Sequence, residues 1–409
     1  MIPTLPVFDS APGLLGDRYR YLSRGAAQLE SDAFYTRVGG RRALCIRGAE
    51  AAHFFYEGDR FDRMRAMPPT TAGLPRNSKS VRTLDGDEHR MRRFGFLQLL
   101  QGSSDDRMEG IARQAFRDAV LRWRAGDVQV MQDELPPIFT SIATRWAGIP
   151  EDLVGDDLSG DLWAMIENAG SVGPTHWVAQ LRRSRAEEWA RKLIRGVRRS
   201  TVDAVEGTPL AALAQWTDSD GDLLPVGVAA VELLNLLRPT VAVALFAEFA
   251  MLALALKPHY RDRFAEGDLT DLDAFVHEVR RRTPFLPLSA GRAASDLEWR
   301  GETVPEGTWT LLDLFGTNHD PRLWPRPHQF DPARYRRGDG DARHIVAQGS
   351  GHYASEHRRP GEPTMEVLLR EAIRAFSAPP WGLVPRQNLR VTWGSVPARV
   401  RGGVAVVFR

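Results

Sequence analysis

The chain has a single cysteine, Cys45, which excludes intrachain disulfides and cysteine-rich metal sites. That thiol stands in the apolar, strand-like run Ala43-Leu44-Cys45-Ile46, where a buried, unreactive role is expected. The opening residues, Met1-Ile2-Pro3-Thr4-Leu5, lack a basic stretch followed by an apolar one, so neither secretion nor a membrane anchor is indicated and a cytoplasmic protein is the expectation. There is no basic tail and no basic stripe interleaved with aromatics, and the formal charge is only +2, so no nucleic-acid partner is expected. Repeats, low-complexity tracts and flexible linkers are also missing. The longest apolar stretch, Thr240 to Leu256, is interrupted by Glu248, which favours a buried central helix over a membrane span.

What is present suits a soluble globular protein with a large core. Hydrophobic residues make up 43% and charged residues 26%, which argues against disorder. To about Arg65, short apolar runs alternate with charged turns, including one at Gly39-Gly40, and predict a small strand-rich region. From about Asp85 to Arg282 helical periodicity dominates, with long segments over 106–124, 185–205 and 226–256. After Thr283 come short strands and Pro/Gly turns, a loop-rich stretch to Gly361, a helix at about Thr364 to Ala378 and a terminal strand pair. The expected fold is mainly α with a smaller β-rich region, in one domain over 1–409.

Glu278 and Arg281 lie three apart on one helical face, which alone reads as an exposed ion pair. Arg238 is more pointed. It sits among Leu, Val and Ala and must find an anion or reach water, because an unpaired buried guanidinium costs several kcal/mol. Pro239 removes one helical hydrogen bond beside it and opens the helix locally. A ligand carboxylate and a protein carboxylate are both admissible partners for Arg238. Glu248 reads as a partner for a basic neighbour.

In order and spacing, the helix with Glu278-Val279-Arg280-Arg281, the stretch Gly316-Thr317-Asn318-His319-Asp320-Pro321, the segment Phe330-Asp331-Pro332-Ala333-Arg334, and the loop from Gln348 to His352 and on through His357 to Glu362 resemble the cytochrome P-450 set. Leu311 to Trp324, Val172-Gly173-Pro174-Thr175-His176-Trp177, Arg185-Ala186-Glu187-Glu188-Trp189 and Phe54-Phe55-Tyr56 narrow the resemblance to the hydrogen-peroxide-using fatty-acid hydroxylases and decarboxylases. It covers about Gly16 to Phe376. It implies the cytochrome P-450 fold, a haem b cofactor and a small-molecule carboxylate or other anionic substrate, with no membrane and no redox partner required. Arg238 would then clamp the substrate carboxylate over the haem, with Pro239 beside it; Arg82 would face the distal side, where the family has glutamine or histidine. His89 and Arg93, four apart, and His357 would contact the haem propionates.

The pattern breaks at the axial ligand. The family loop reads His-Arg-Cys-Pro-Gly-Glu, and here it reads His357-Arg358-Arg359-Pro360-Gly361-Glu362. A guanidinium has no lone pair to offer iron, whereas thiolate donates electron density that favours oxygen-oxygen cleavage. One residue is also missing before the following helix, with Pro363 at the junction. Four readings stay open: a haem enzyme of altered ligation using His357, His352, Tyr353 or water for oxidation or rearrangement; a haem-free cavity lined by Arg82, Arg238 and Arg359 for acid-base chemistry such as cyclisation or dehydration; a non-catalytic binding protein; and a mononuclear metal site at His352 and His357.

Overall fold

The computed structural model describes residues 1–62, 66, 81, 86–100, 103–168, 174–347, 349 and 360–409. Ten strands are present among them: β1 Ala33–Val38, β2 Arg41–Ile46, β3 Phe61–Asp62, β4 Val128–Val130, β5 Leu288–Ala293, β6 Leu297–Trp299, β7 Glu302–Val304, β8 Trp309–Asp313, β9 Trp381–Leu383 and β10 Ala405–Phe408. The chain divides into two compact units.

The first unit comprises residues 1–72, 277–359 and 391–399. Its sheet runs β1-β2-β8-β5-β3, with β2 and β8 parallel and the other pairs antiparallel. Gly39 and Gly40 close the β1–β2 hairpin with φ of 60° and 76°, the left-handed conformation a two-residue turn requires. Both faces of the sheet are covered. Ala43, Cys45 and Leu311 join one apolar cluster, while Leu44, Ile46 and Leu312 join the other, so the run 43–46 is apolar throughout rather than alternating. The expectation of a strand-rich region to Arg65 needs correcting, because helices at Ala11–Gly16, Tyr21–Gln28 and Ala49–Tyr56 intervene. Within the last, Phe54, Phe55 and Tyr56 turn their rings into the cluster under the sheet. An apolar run this short does not reveal whether strand or helix buries it.

The second unit comprises residues 73–276, 360–390 and 400–409. Its centre is the helix Val226–Leu256, which packs against Met131–Ala147, Leu158–Glu167, Pro174–Arg198 and Glu362–Ser377. Surrounded on this many sides, a helix needs apolar residues around its circumference, and most of its residues are buried. It is long and apolar enough to cross a membrane by length and composition, with 72% of its most apolar window buried within the protein. β9 and β4 flank β10 in a small antiparallel sheet. The expected helices over 106–124 and 185–205 are Ser103–Arg122 and Pro174–Arg198, and the one expected from Thr364 starts at Glu362 with Pro363 in its first turn.

Candidate functional site

The central helix is not buried all round. Asn235 and Arg238 are half-buried and Pro239 is exposed, in a stretch whose other members from Ala229 to Glu248 are buried. Spacings of three and four put these residues on one helical face. Arg238 is thus a half-buried cation on a largely apolar helix. Pro239 has no N–H, so the helical donor that the Asn235 carbonyl would receive from that position is missing.

One turn below lies a buried polar cluster. Glu232 is fully buried, and three donors meet its carboxylate: the Val81 backbone N–H at 2.7 Å and Arg92 Nη1 at 2.9 Å on Oε1, and Asn235 Nδ2 at 2.8 Å on Oε2. Burial pushes the Glu232 carboxyl above the usual range, opposed by Asn235, the Val81 amide and Arg92. Sequence reasoning passed over Glu232, Arg92 and Asn235. The signal available was two polar residues three apart in an otherwise apolar helix, since polar groups at such positions need partners.

Arg92 belongs to the helix Gly86–Leu100, which also carries two expected propionate contacts. Arg93 is half-buried there, and the helix puts position 89 one turn before it, while the His89 side chain lies outside the described residues. Arg82, His352, Tyr353, His357 and Arg359 also lie outside the described residues. Among the described residues no group of three or more His, Cys, Asp and Glu could hold a metal ion. Glu248 is buried and accepts from the Val404 N–H at 2.9 Å, which ties the helix to the strand end before β10.

In the first unit, Glu278 and Arg281 form a fully buried pair, not an exposed one. Arg281 donates to both carboxylate oxygens at 2.7 and 2.9 Å and to the carbonyls of Asn318 and Pro327 at 2.7 and 3.0 Å. Arg334 comes within 3.3 Å of Glu278 Oε2 without an aligned hydrogen bond there, and donates instead to the Pro325 carbonyl at 2.8 Å. The Asp331 N–H and the Tyr335 hydroxyl complete the shell around Glu278. Asn318, held at its carbonyl by Arg281, accepts the Val346 N–H at its side chain at 3.0 Å. The buried charges thus fix the course of the chain from Asn318 to Val346, immediately before the loop that breaks the family pattern.

Cys45 lies inside β2, pairing with Phe34 of β1 and Leu311 of β8, and burial pushes its thiol well above the ordinary range. It is a core side chain, as the apolar run predicts.

The comparisons with known proteins agree with this architecture. The family model for cytochrome P-450 matches residues 254–349. Rhazimal synthase of Alstonia scholaris is 32% identical over 117 residues, which make up 27% of this chain and 22% of that protein, so the chain matches about a fifth of this curated relative's length. Several solved structures match over 98% or more of the chain, two of them as follows. Cytochrome P-450SP alpha (CYP152B1) in complex with (R)-ibuprophen has a TM-score of 0.90 at 34% identity, covering 98% of each chain. Cytochrome P-450EX alpha (CYP152N1) with myristic acid has a TM-score of 0.90 at 30% identity, covering 100% of this chain and 98% of that one. On that full-length similarity, the chain belongs to the cytochrome P-450 family, in the branch of the CYP152 peroxygenases.

Proposed function

We propose that this protein binds a carboxylate-bearing small molecule through Arg238, in a cytochrome P-450 scaffold that has lost its sulfur ligand, and acts on it by oxidation or rearrangement with altered iron ligation. The observation that carries the reading is Arg238 beside the exposed Pro239 on the open face of an otherwise buried helix. A guanidinium in that position forms two parallel charge-assisted hydrogen bonds to a carboxylate, which fixes orientation as well as affinity. Both structural neighbours were solved with carboxylic acids, (R)-ibuprophen and myristic acid. Arg82 as a second cation would favour a more polar or more acidic substrate than a plain fatty acid.

A thiolate-ligated haem does not fit the donor set of this chain. Its one cysteine is locked in β2, and Arg359, where the family places the ligand, has no lone pair. The haem b of the family, if bound, would be held at its propionates by Arg93 and His89, with His357 either joining them or ligating the iron in place of His352, Tyr353 or water. The rebuilt loop with Pro363 supports a second reading, a haem-free pocket that binds an anionic metabolite for acid-base chemistry.

The test is a calorimetric titration with myristic acid. Arg238→Ala weakens binding at least about tenfold, since a desolvated charge-assisted pair contributes roughly 1.5–3 kcal/mol. Equal affinity of the variant and the parent, with matching circular dichroism, would remove Arg238 from the site.

A further inference from the structure

Asn235 has one amide N–H committed to Glu232 and its oxygen open. Its Nδ2 donates to Glu232 at 2.8 Å, and that carboxylate is already anchored by the Val81 N–H and Arg92, so the amide cannot turn over without losing its buried acceptor. Oδ1 accepts no hydrogen bond among the described residues, on a half-buried residue where a sealed, unsatisfied atom would be costly. It is therefore an acceptor held ready for a solute. Asn235 sits one turn before Arg238, on the same face of the same helix.

We infer that Asn235, positioned by Glu232 and Arg92, is a specificity-determining residue that accepts a hydrogen bond from a hydroxyl or N–H close to the carboxylate of the ligand. The preferred substrate class is a hydroxy- or acylamino-carboxylic acid rather than an unsubstituted fatty acid. This rests on the carboxylate reading of Arg238 and narrows it. The chemistry is complementary in sign: Arg238 offers only donors and the open Asn235 Oδ1 only accepts, so a molecule carrying an anion and a neighbouring donor satisfies both at once. A plain acid leaves the Asn235 oxygen to water. A site built to bond a donor discriminates against the analogue that lacks it, because the polar group is then left unpaired when the ligand excludes water.

The probes are myristic acid and the two enantiomers of 3-hydroxymyristic acid, titrated into the full-length protein. One enantiomer binds the parent protein about three- to tenfold more tightly than myristic acid and than its mirror image, because a fixed acceptor lies to one side of the clamp. In Asn235→Leu, the affinity ratio between that enantiomer and myristic acid falls to about one. The enantiomer comparison needs no variant and reads the site even if Asn235→Leu folds poorly. Equal binding of all three acids by the parent protein overturns the inference, as does a preference that survives Asn235→Leu. Binding of myristic acid that depends on Arg238 but ignores the hydroxyl sinks only this inference; binding that ignores Arg238 sinks the reading beneath it as well.

Discussion

Asp313 ends β8 and caps the short helix that follows, accepting the Gly316 N–H at 2.7 Å and the Ser23 hydroxyl at 2.5 Å. It is fully buried, and burial pushes its carboxyl up to about 6. The native state therefore holds a proton that the unfolded chain releases between about pH 4 and pH 6, and stability falls as pH rises through that window. The fall amounts to about 3 kcal/mol at most. Asp313→Asn keeps the cap through its carbonyl and donates to Ser23 in place of accepting, so its denaturation free energy is flatter from pH 4 to pH 6. Urea unfolding of both proteins across that range checks this, and parallel pH profiles would contradict it. None of this was visible in sequence, where Asp313 is one aspartate in a family-like run and its burial depends on Ser23, 290 residues away.

At the scale of elements, what was legible followed periodicity. The helix Val226–Leu256 was bounded correctly because its apolar residues continue for several turns on either side of Pro239, and the hairpin turn at Gly39-Gly40 because two glycines there permit little else. Arg238 and Pro239 stood out as chemical oddities in that helix. Glu232 did not, because its partners Val81 and Arg92 come from a distant segment. The helix Leu272–Arg282 shows the same limit in reverse: spacing alone read its Glu278–Arg281 pair as exposed, whereas the fold buries it and brings Arg334 to 3.3 Å from Glu278. Removing one partner of a buried pair leaves the other uncompensated, so Arg281→Met lowers stability by about 3–5 kcal/mol. It also releases the Asn318 and Pro327 carbonyls. A loss under about 1 kcal/mol in chemical denaturation would show that Arg334 and Tyr335 hold Glu278 without Arg281.

At the scale of the whole molecule, the sequence carried family and fold class through many weak motifs in a fixed order, and the full-length structural matches at 30% and 34% identity bear both out. The residues meant to hold haem are largely outside the described part of the chain; the conflict between family and chain is nevertheless plain in the sequence, at Arg359. The proposed carboxylate clamp, Arg238, and the position proposed to have lost its sulfur, Arg359, stand on separate segments of the chain. The direct measurement is the absorption spectrum of the reduced, carbon monoxide-treated protein, purified with added haem, for the parent chain and for Arg359→Cys. The parent is expected to show no thiolate-type band, and Arg359→Cys to gain one. A thiolate-type band in the parent chain would contradict the claim that its sulfur ligand is gone.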